Sequence, residues 1–134
     1  MGEIAPAVAA DGAANGYLSI NAKFTALQKA AAGLFEHAEQ IAQRMRANAD
    51  SAIVVAELCA AAEADARHVA AVAEVGEAFG QVVGGCKRLL SSAEQTHQAA
   101  TDVKGAHQAE YGPVHAAATA SRARQAKPGF YRPL

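Results

Sequence analysis

Two carboxylate-x-x-His patterns stand out among the residues able to do chemistry: Asp65 with His68 in "DARH", and Glu94 with His97 in "EQTH". In helical di-iron proteins two such pairs and two further glutamates converge on one metal site, because side chains three residues apart share a helix face. Here both pairs fall on one expected helix. Their 29-residue separation (94 minus 65) corresponds to roughly 44 Å at 1.5 Å per residue. They cannot share a metal within one chain, even with Glu36 and Glu39 offered as the other ligands. Solvated helix-face residues are the simpler reading, and no metal or cofactor is expected.

The remaining reactive residues point the same way. Cys59 and Cys86 sit in apolar helical surroundings without a CxxC or Cys/His cluster, so free, buried thiols are expected rather than redox or zinc chemistry. There is no Gly-rich phosphate loop followed by Lys, no G-x-S-x-G, and no Cys/His/Asp trio with a local signature. The chain is therefore expected not to be an enzyme. His37, His107 and His115 read as surface residues. His107 and Tyr111, four apart, can stack on one helix face and lock the end of a helix.

The elements that carry these residues are helical. Ser19 or Asn21 can cap a first helix. Apolar positions then recur at Phe24, Leu27, Ala31, Leu34, Ala38, Ile41 and Met45, a heptad seam in steps of three and four. The same register continues through Asn48, Ala52, Val55 and Cys59, so the helix is expected to run to about Glu63, through the polar "NADS" at Asn48 to Ser51. Asp65 is the expected N-cap of a second helix starting at Ala66. Its seam runs His68, Val72, Val75, Phe79, Val82 and Cys86, then Leu89, Ala93, Thr96, Ala100 and Val103. Thr96 and His68, as polar seam residues, would help set register.

The fold class expected is all-α: an antiparallel two-helix coiled-coil hairpin, with a three-helix bundle broken near Asp50 as the alternative. Such a hairpin buries little area, so a homodimer of four helices is expected. Three segments follow from the composition. Residues 1–18 read as a flexible, disordered arm, 19–111 as the helical domain, and 112–134 as an extended tail, with Gly112 and Pro113 interrupting the second helix.

Within the second helix Gly76, Gly80 and Gly84 recur every four residues. Each costs a helix about 1 kcal/mol relative to Ala. Close packing of a neighbouring helix along a side-chain-free stripe, or a hinge, would explain them.

Bulk composition limits the choices further. Of 134 residues 37 are Ala, whereas aromatics make up 5 %, so the core must be thin and built from methyl groups. The first 17 residues lack a basic region followed by an apolar run, and no stretch reaches the ~18 apolar residues of a membrane span. A cytoplasmic location is expected. The net charge of −1 conceals an asymmetry: up to Glu110 there are 8 cations and 13 acids, and after it 4 cations and no acid.

That basic end finishes "RQAKPGFYRPL". Pro128 and Pro133 restrict the residues before them to extended backbone, which would present Phe130 and Tyr131 beside Lys127 and Arg132. Aromatics flanked by cations suit a short docking peptide or a stacking contact with single-stranded nucleic acid. Lys127, Pro128, Phe130, Tyr131 and Arg132 are thus the candidate partner-binding residues; folding of the tail back onto its own bundle is the competing reading.

The stretches "HQAEYGPVHAA", His107 to Ala117, and "QAKPGFYR", Gln125 to Arg132, resemble the C-terminal end of small helical proteins from conjugative plasmids and integrated elements of high-GC Gram-positive bacteria. Such proteins are often labelled "conjugal transfer protein". The second helix is loosely similar from about Asp65, and the first only as an amphipathic pattern. The resemblance implies an accessory role beside DNA transfer or plasmid maintenance. It does not imply the ATP-driven translocase of that name, for which the chain lacks a phosphate loop and the length of a motor domain.

A non-enzymatic helical interaction protein that docks a protein partner through its tail is the leading expectation. One alternative is a secreted WXG100-like hairpin, although the chain has no Trp for the Trp-x-Gly turn. The other is a nucleic-acid-binding accessory protein using the basic tail, whose affinity would fall steeply with salt.

Overall fold

The computed structural model describes residues 15–122. Two helices, α1 (Tyr17–Ala61) and α2 (Ala66–Ala120), account for nearly all of them and pack against each other as an all-α helical hairpin; no strand occurs among the described residues. The chain divides into two compact units: Ala30–Thr96, which holds the turn, and Met1–Lys29 with His97–Leu134, which holds the opposite helix ends.

The turn of the first unit shows how local chemistry ends one helix and starts the next. The Ala64 N–H donates to the Cys59 carbonyl at 3.0 Å and the Glu63 N–H to the Ala60 carbonyl at 3.1 Å. This is the Schellman pairing, which satisfies carbonyls left open at a helix end. It needs a left-handed residue, and Glu63 takes that role at φ 58°, where glycine would carry no side-chain penalty. Two residues on, the Asp65 carboxylate accepts the Arg67 N–H at 2.8 Å, which makes it the N-cap of α2.

α1 is continuous through Asn48 to Ser51, so the three-helix alternative is not the fold. Ser51 turns its hydroxyl back on the Ala47 carbonyl at 2.8 Å, a bond that lets a serine sit inside a helix.

Within Ala30–Thr96 the helices meet through very small side chains. The buried residues are Ala31, Ala38, Ala42, Ala52 and Ala56 on α1, facing Gly76, Val83, Cys86 and Ala93 on α2. Cys59 is half-buried, and both thiols are free. Each buried methyl contributes only about 0.8 kcal/mol, so the layer is thin, as the composition implied.

The contact runs one residue away from the expected seam at every second position. Ala31, Ala38 and Ala52, and Cys86 and Ala93, are shared by both frames. At the alternate positions the structure buries Ala42, Ala56 and Val83, whereas the expected Ile41, Val55 and Val82 are 44–45 % exposed. Leu27, Leu34, Val75, Leu89 and Val103 are likewise exposed, and so are His68 and Thr96, which therefore set no register in the contact. The physical reason is close approach: alanine and glycine at the centre let the backbones come together, and the branched side chains are displaced to the flank.

In the second unit, both ends of the expected domain move outward. α1 starts at Tyr17, with Gly16 supplying the first helical carbonyl to the Ile20 N–H at 2.9 Å. The expected capping residues Ser19 and Asn21 are already inside the helix. At the far end, α2 does not stop at Tyr111 but passes through Gly112 and Pro113 to Ala120. Of the expected arm only its last four positions, Asn15 to Leu18, are described, and Tyr17 and Leu18 are helical.

Candidate functional site

Most of the residues singled out from the sequence do not converge. Asp65, His68, Glu94 and His97 are all exposed, and no cluster of three metal-ligating side chains exists among the described residues. Asp65 has a structural task. Its carboxylate takes hydrogen bonds from the Arg67 side chain and amide, which hold it below its ordinary value of 3.8, and the two side chains form an ion pair at 3.2 Å. That pair is largely exposed and contributes little by itself. The tail residues Lys127, Pro128, Phe130, Tyr131 and Arg132 lie outside the described residues.

The three glycines separate into two kinds. A Cβ added at Gly76 would sit 3.3 Å from the Ala52 Cβ and 3.6 Å from the Ala49 carbonyl oxygen, so α1 passes close over this position. Gly80 has no atom within 4 Å of such a Cβ, and Gly84 has only an Arg88 nitrogen at 3.9 Å. They form no continuous packing stripe inside the chain, because a step of four drifts around a helix while the contact advances by 3.5 residues on average.

The densest grouping of functional side chains lies in the unit formed by the helix ends. The Tyr17 ring stacks on His107 at 5.2 Å and on His115 at 4.6 Å between centroids. These histidines are two helical turns apart, roughly 12 Å along the axis, so the phenol lies between them. His107 also meets Tyr111 at 5.1 Å and Phe24 at 6.3 Å. The His107–Tyr111 contact expected from their spacing is therefore present, but it is one edge of a larger cluster. Tyr17, His107, Tyr111 and His115, with Ile20 and Val114, line an open recess of about 400 Å³. His107 Nε2 is enclosed there without a hydrogen-bond partner.

Pro113 gains a rationale from this cluster. It has no N–H to donate to the Ala109 carbonyl, a loss that ordinarily ends a helix. Beyond it, His115 is held by Tyr17, whose hydroxyl lies 3.3 Å from where a Gly112 Cβ would stand. Nearby, Gln28 donates to the Thr101 hydroxyl at 2.7 Å, and that hydroxyl donates to the His97 carbonyl at 2.9 Å.

Tyr17 carried no functional expectation from the sequence, and His107 and His115, expected at the surface, are half-buried because the Tyr17 ring stacks on both. The signal was present in α2, since His107, Tyr111 and His115 recur every four residues on one face. Their partner Tyr17 is about ninety positions away in sequence, and no local spacing points to it.

A second feature lies in Ala30–Thr96, where Val55 and Asn48 of α1 border an open groove of about 430 Å³ with Val72, Val75 and Phe79 of α2. The groove on the opposite side is bordered by Ile53, Glu57, Ala73 and Glu77. One side is thus lined by branched apolar residues and the other carries carboxylates. No helix is long and apolar enough to cross a membrane among the described residues.

No protein-family model matches the chain, and no curated protein or solved structure matches it either.

Proposed function

We propose that the chain is a non-enzymatic helical interaction protein, an accessory to DNA transfer or maintenance of a mobile element, that holds partners through helix faces and its C-terminal segment. The observation that supports the interaction role is the row of branched apolar residues, including Leu34, Ile41, Val55, Val75 and Val82, left 43–50 % exposed on a hairpin whose buried layer is mainly alanine. Contiguous apolar surface of this kind is what partner-binding proteins expose. The link to DNA transfer rests on the resemblance of His107–Ala117 and Gln125–Arg132, and the docking role of Phe130 and Tyr131 on their setting between Lys127, Pro128 and Arg132.

The test of the docking role is capture from lysate of the native host, with nuclease present, using the full chain and a form ending at Arg124. A protein retained only by the full chain is the expected result. Equal retention by both forms overturns tail docking.

A further inference from the structure

We infer that the apolar side of the Ala30–Thr96 unit is the interface with a second copy of this chain, forming a four-helix dimer. The inference deepens the interaction reading by naming the face and its occupant.

The face follows from the heptad frame that the structure adopts. In α1, Ile41 and Val55 each sit one position before a buried residue and Leu34 lies seven residues before Ile41; in α2, Val75 and Val82 each precede a buried residue and Leu89 lies seven residues beyond Val82. Seven residues make two turns, so each set forms a row along its helix. Both rows border one side of the hairpin, because Val55 and Val75 line the same groove.

On α2 the row is half of a complete second seam. Val75, Val82 and Leu89 alternate with Ala78, Gly85 and Ser92 in steps of three and four, and no charged residue interrupts it from Ala71 to Thr96. Large side chains alternating with small ones are knobs beside holes. A helix with two such seams is built to touch two neighbours, and the hairpin provides only one.

Area and charge select the occupant. Leu34, Ile41, Val55, Val75, Val82 and Leu89 are each 40–50 % exposed, and Leu58, on the same side, is 64 % exposed. Together they present on the order of 600 Å² of apolar surface, most of the ~800 Å² that each partner gives to a stable interface. A two-fold interface places a patch against itself, so a patch of one charge sign would repel its copy. This one carries few charges: Arg44 on α1, and Arg88 on α2, whose guanidinium lies within 3.9 Å of where Cβ atoms at Gly84 and Gly85 would stand. The opposite side is unsuited to burial, with Glu39, Arg46 and Glu57 on α1 and Glu77, Lys87 and Glu94 on α2.

The test uses purified full-length chain alone, so it succeeds or fails independently of tail docking and of any foreign partner. Light scattering across the micromolar range is expected to give twice the 13.7 kDa chain mass. The Val82→Glu/Leu89→Glu variant is expected to fall to one chain mass with helicity retained, and Ile53→Glu, on the opposite side, to remain dimeric. A mass of one chain at every concentration overturns the inference. So does a Val82→Glu/Leu89→Glu variant that stays folded and dimeric.

A readout that does not depend on the double variant folding comes from thiol labelling, with Cys59 and Cys86 replaced by alanine. Ser92→Cys, on the proposed face, should label several-fold more slowly as protein concentration rises, whereas Ser91→Cys should not change. Equal, concentration-independent rates at both positions overturn the inference. A Ser92→Cys rate that is slow at all concentrations and rises when the chain is cut after Arg122 would assign the face to the chain's own end, and would overturn it too.

Discussion

Asp65 shows how a residue that looks chemical from its spacing can be structural. Its carboxylate accepts three hydrogen bonds from Arg67 at the start of α2, two from the side chain and one from the amide, and these hold its proton affinity down. The folded chain therefore binds that proton more weakly than the unfolded chain. The stabilisation is present above the ordinary carboxylate range and is lost as pH falls through the lowered value. Asp65→Ala is expected to lower the melting temperature at pH 7, with the gap to the parent narrowing below about pH 4. A gap that stays constant or widens on acidification would show that the charged cap contributes nothing. The role of Asp65 as a cap was legible in "EADARH", because capping is local; the stack of Tyr17 on His115 was not, because it joins opposite ends of the chain.

Within α2, glycine spacing and glycine environment disagree, and the environment decides. Gly80 faces open space whereas Gly76 lies against Ala52 and Ala49 of α1. Gly80→Ala is expected to stabilise by about 0.5–1 kcal/mol through helix propensity alone. Gly76→Val is expected to destabilise, since its first carbon already lies at 3.3 Å from Ala52 and its branches force the helices apart. Thermal melts of the two variants should shift in opposite directions, and equal shifts would remove the close-packing account of Gly76. The same element shows why Gly112 and Pro113 mislead: both are helix breakers by propensity, but tertiary contacts from Tyr17 hold the turn beyond them.

For the whole molecule, the controlling fact is how little each helix buries. Seven of the nine buried apolar residues are alanines, and no large side chain is fully buried among the described residues. A layer of this kind recovers little of the entropy lost on ordering long helices, which is why a second layer supplied by another copy is the consistent completion. In the dimer inferred above, mass action makes stability depend on concentration. The melting temperature is expected to rise with protein concentration, and in the Val82→Glu/Leu89→Glu variant to become independent of it. A concentration-independent melt of the parent chain would argue that the hairpin is stable alone.

The sequence by itself determined the all-α class, the turn at Asp65 and the alanine composition of the core, and left a three-helix bundle open that the unbroken α1 removes. The features it determined rest on interactions within a few residues, namely helix propensity, capping and a 3.5-residue apolar period. The period, however, admits two frames that share every second position, one burying Ile41, Val55 and Val82 and the other Ala42, Ala56 and Val83. Hydrophobicity alone favours the first. Only the tertiary structure decided for the second, because the distance at which two backbones can pack is set by the side chains of both helices at once.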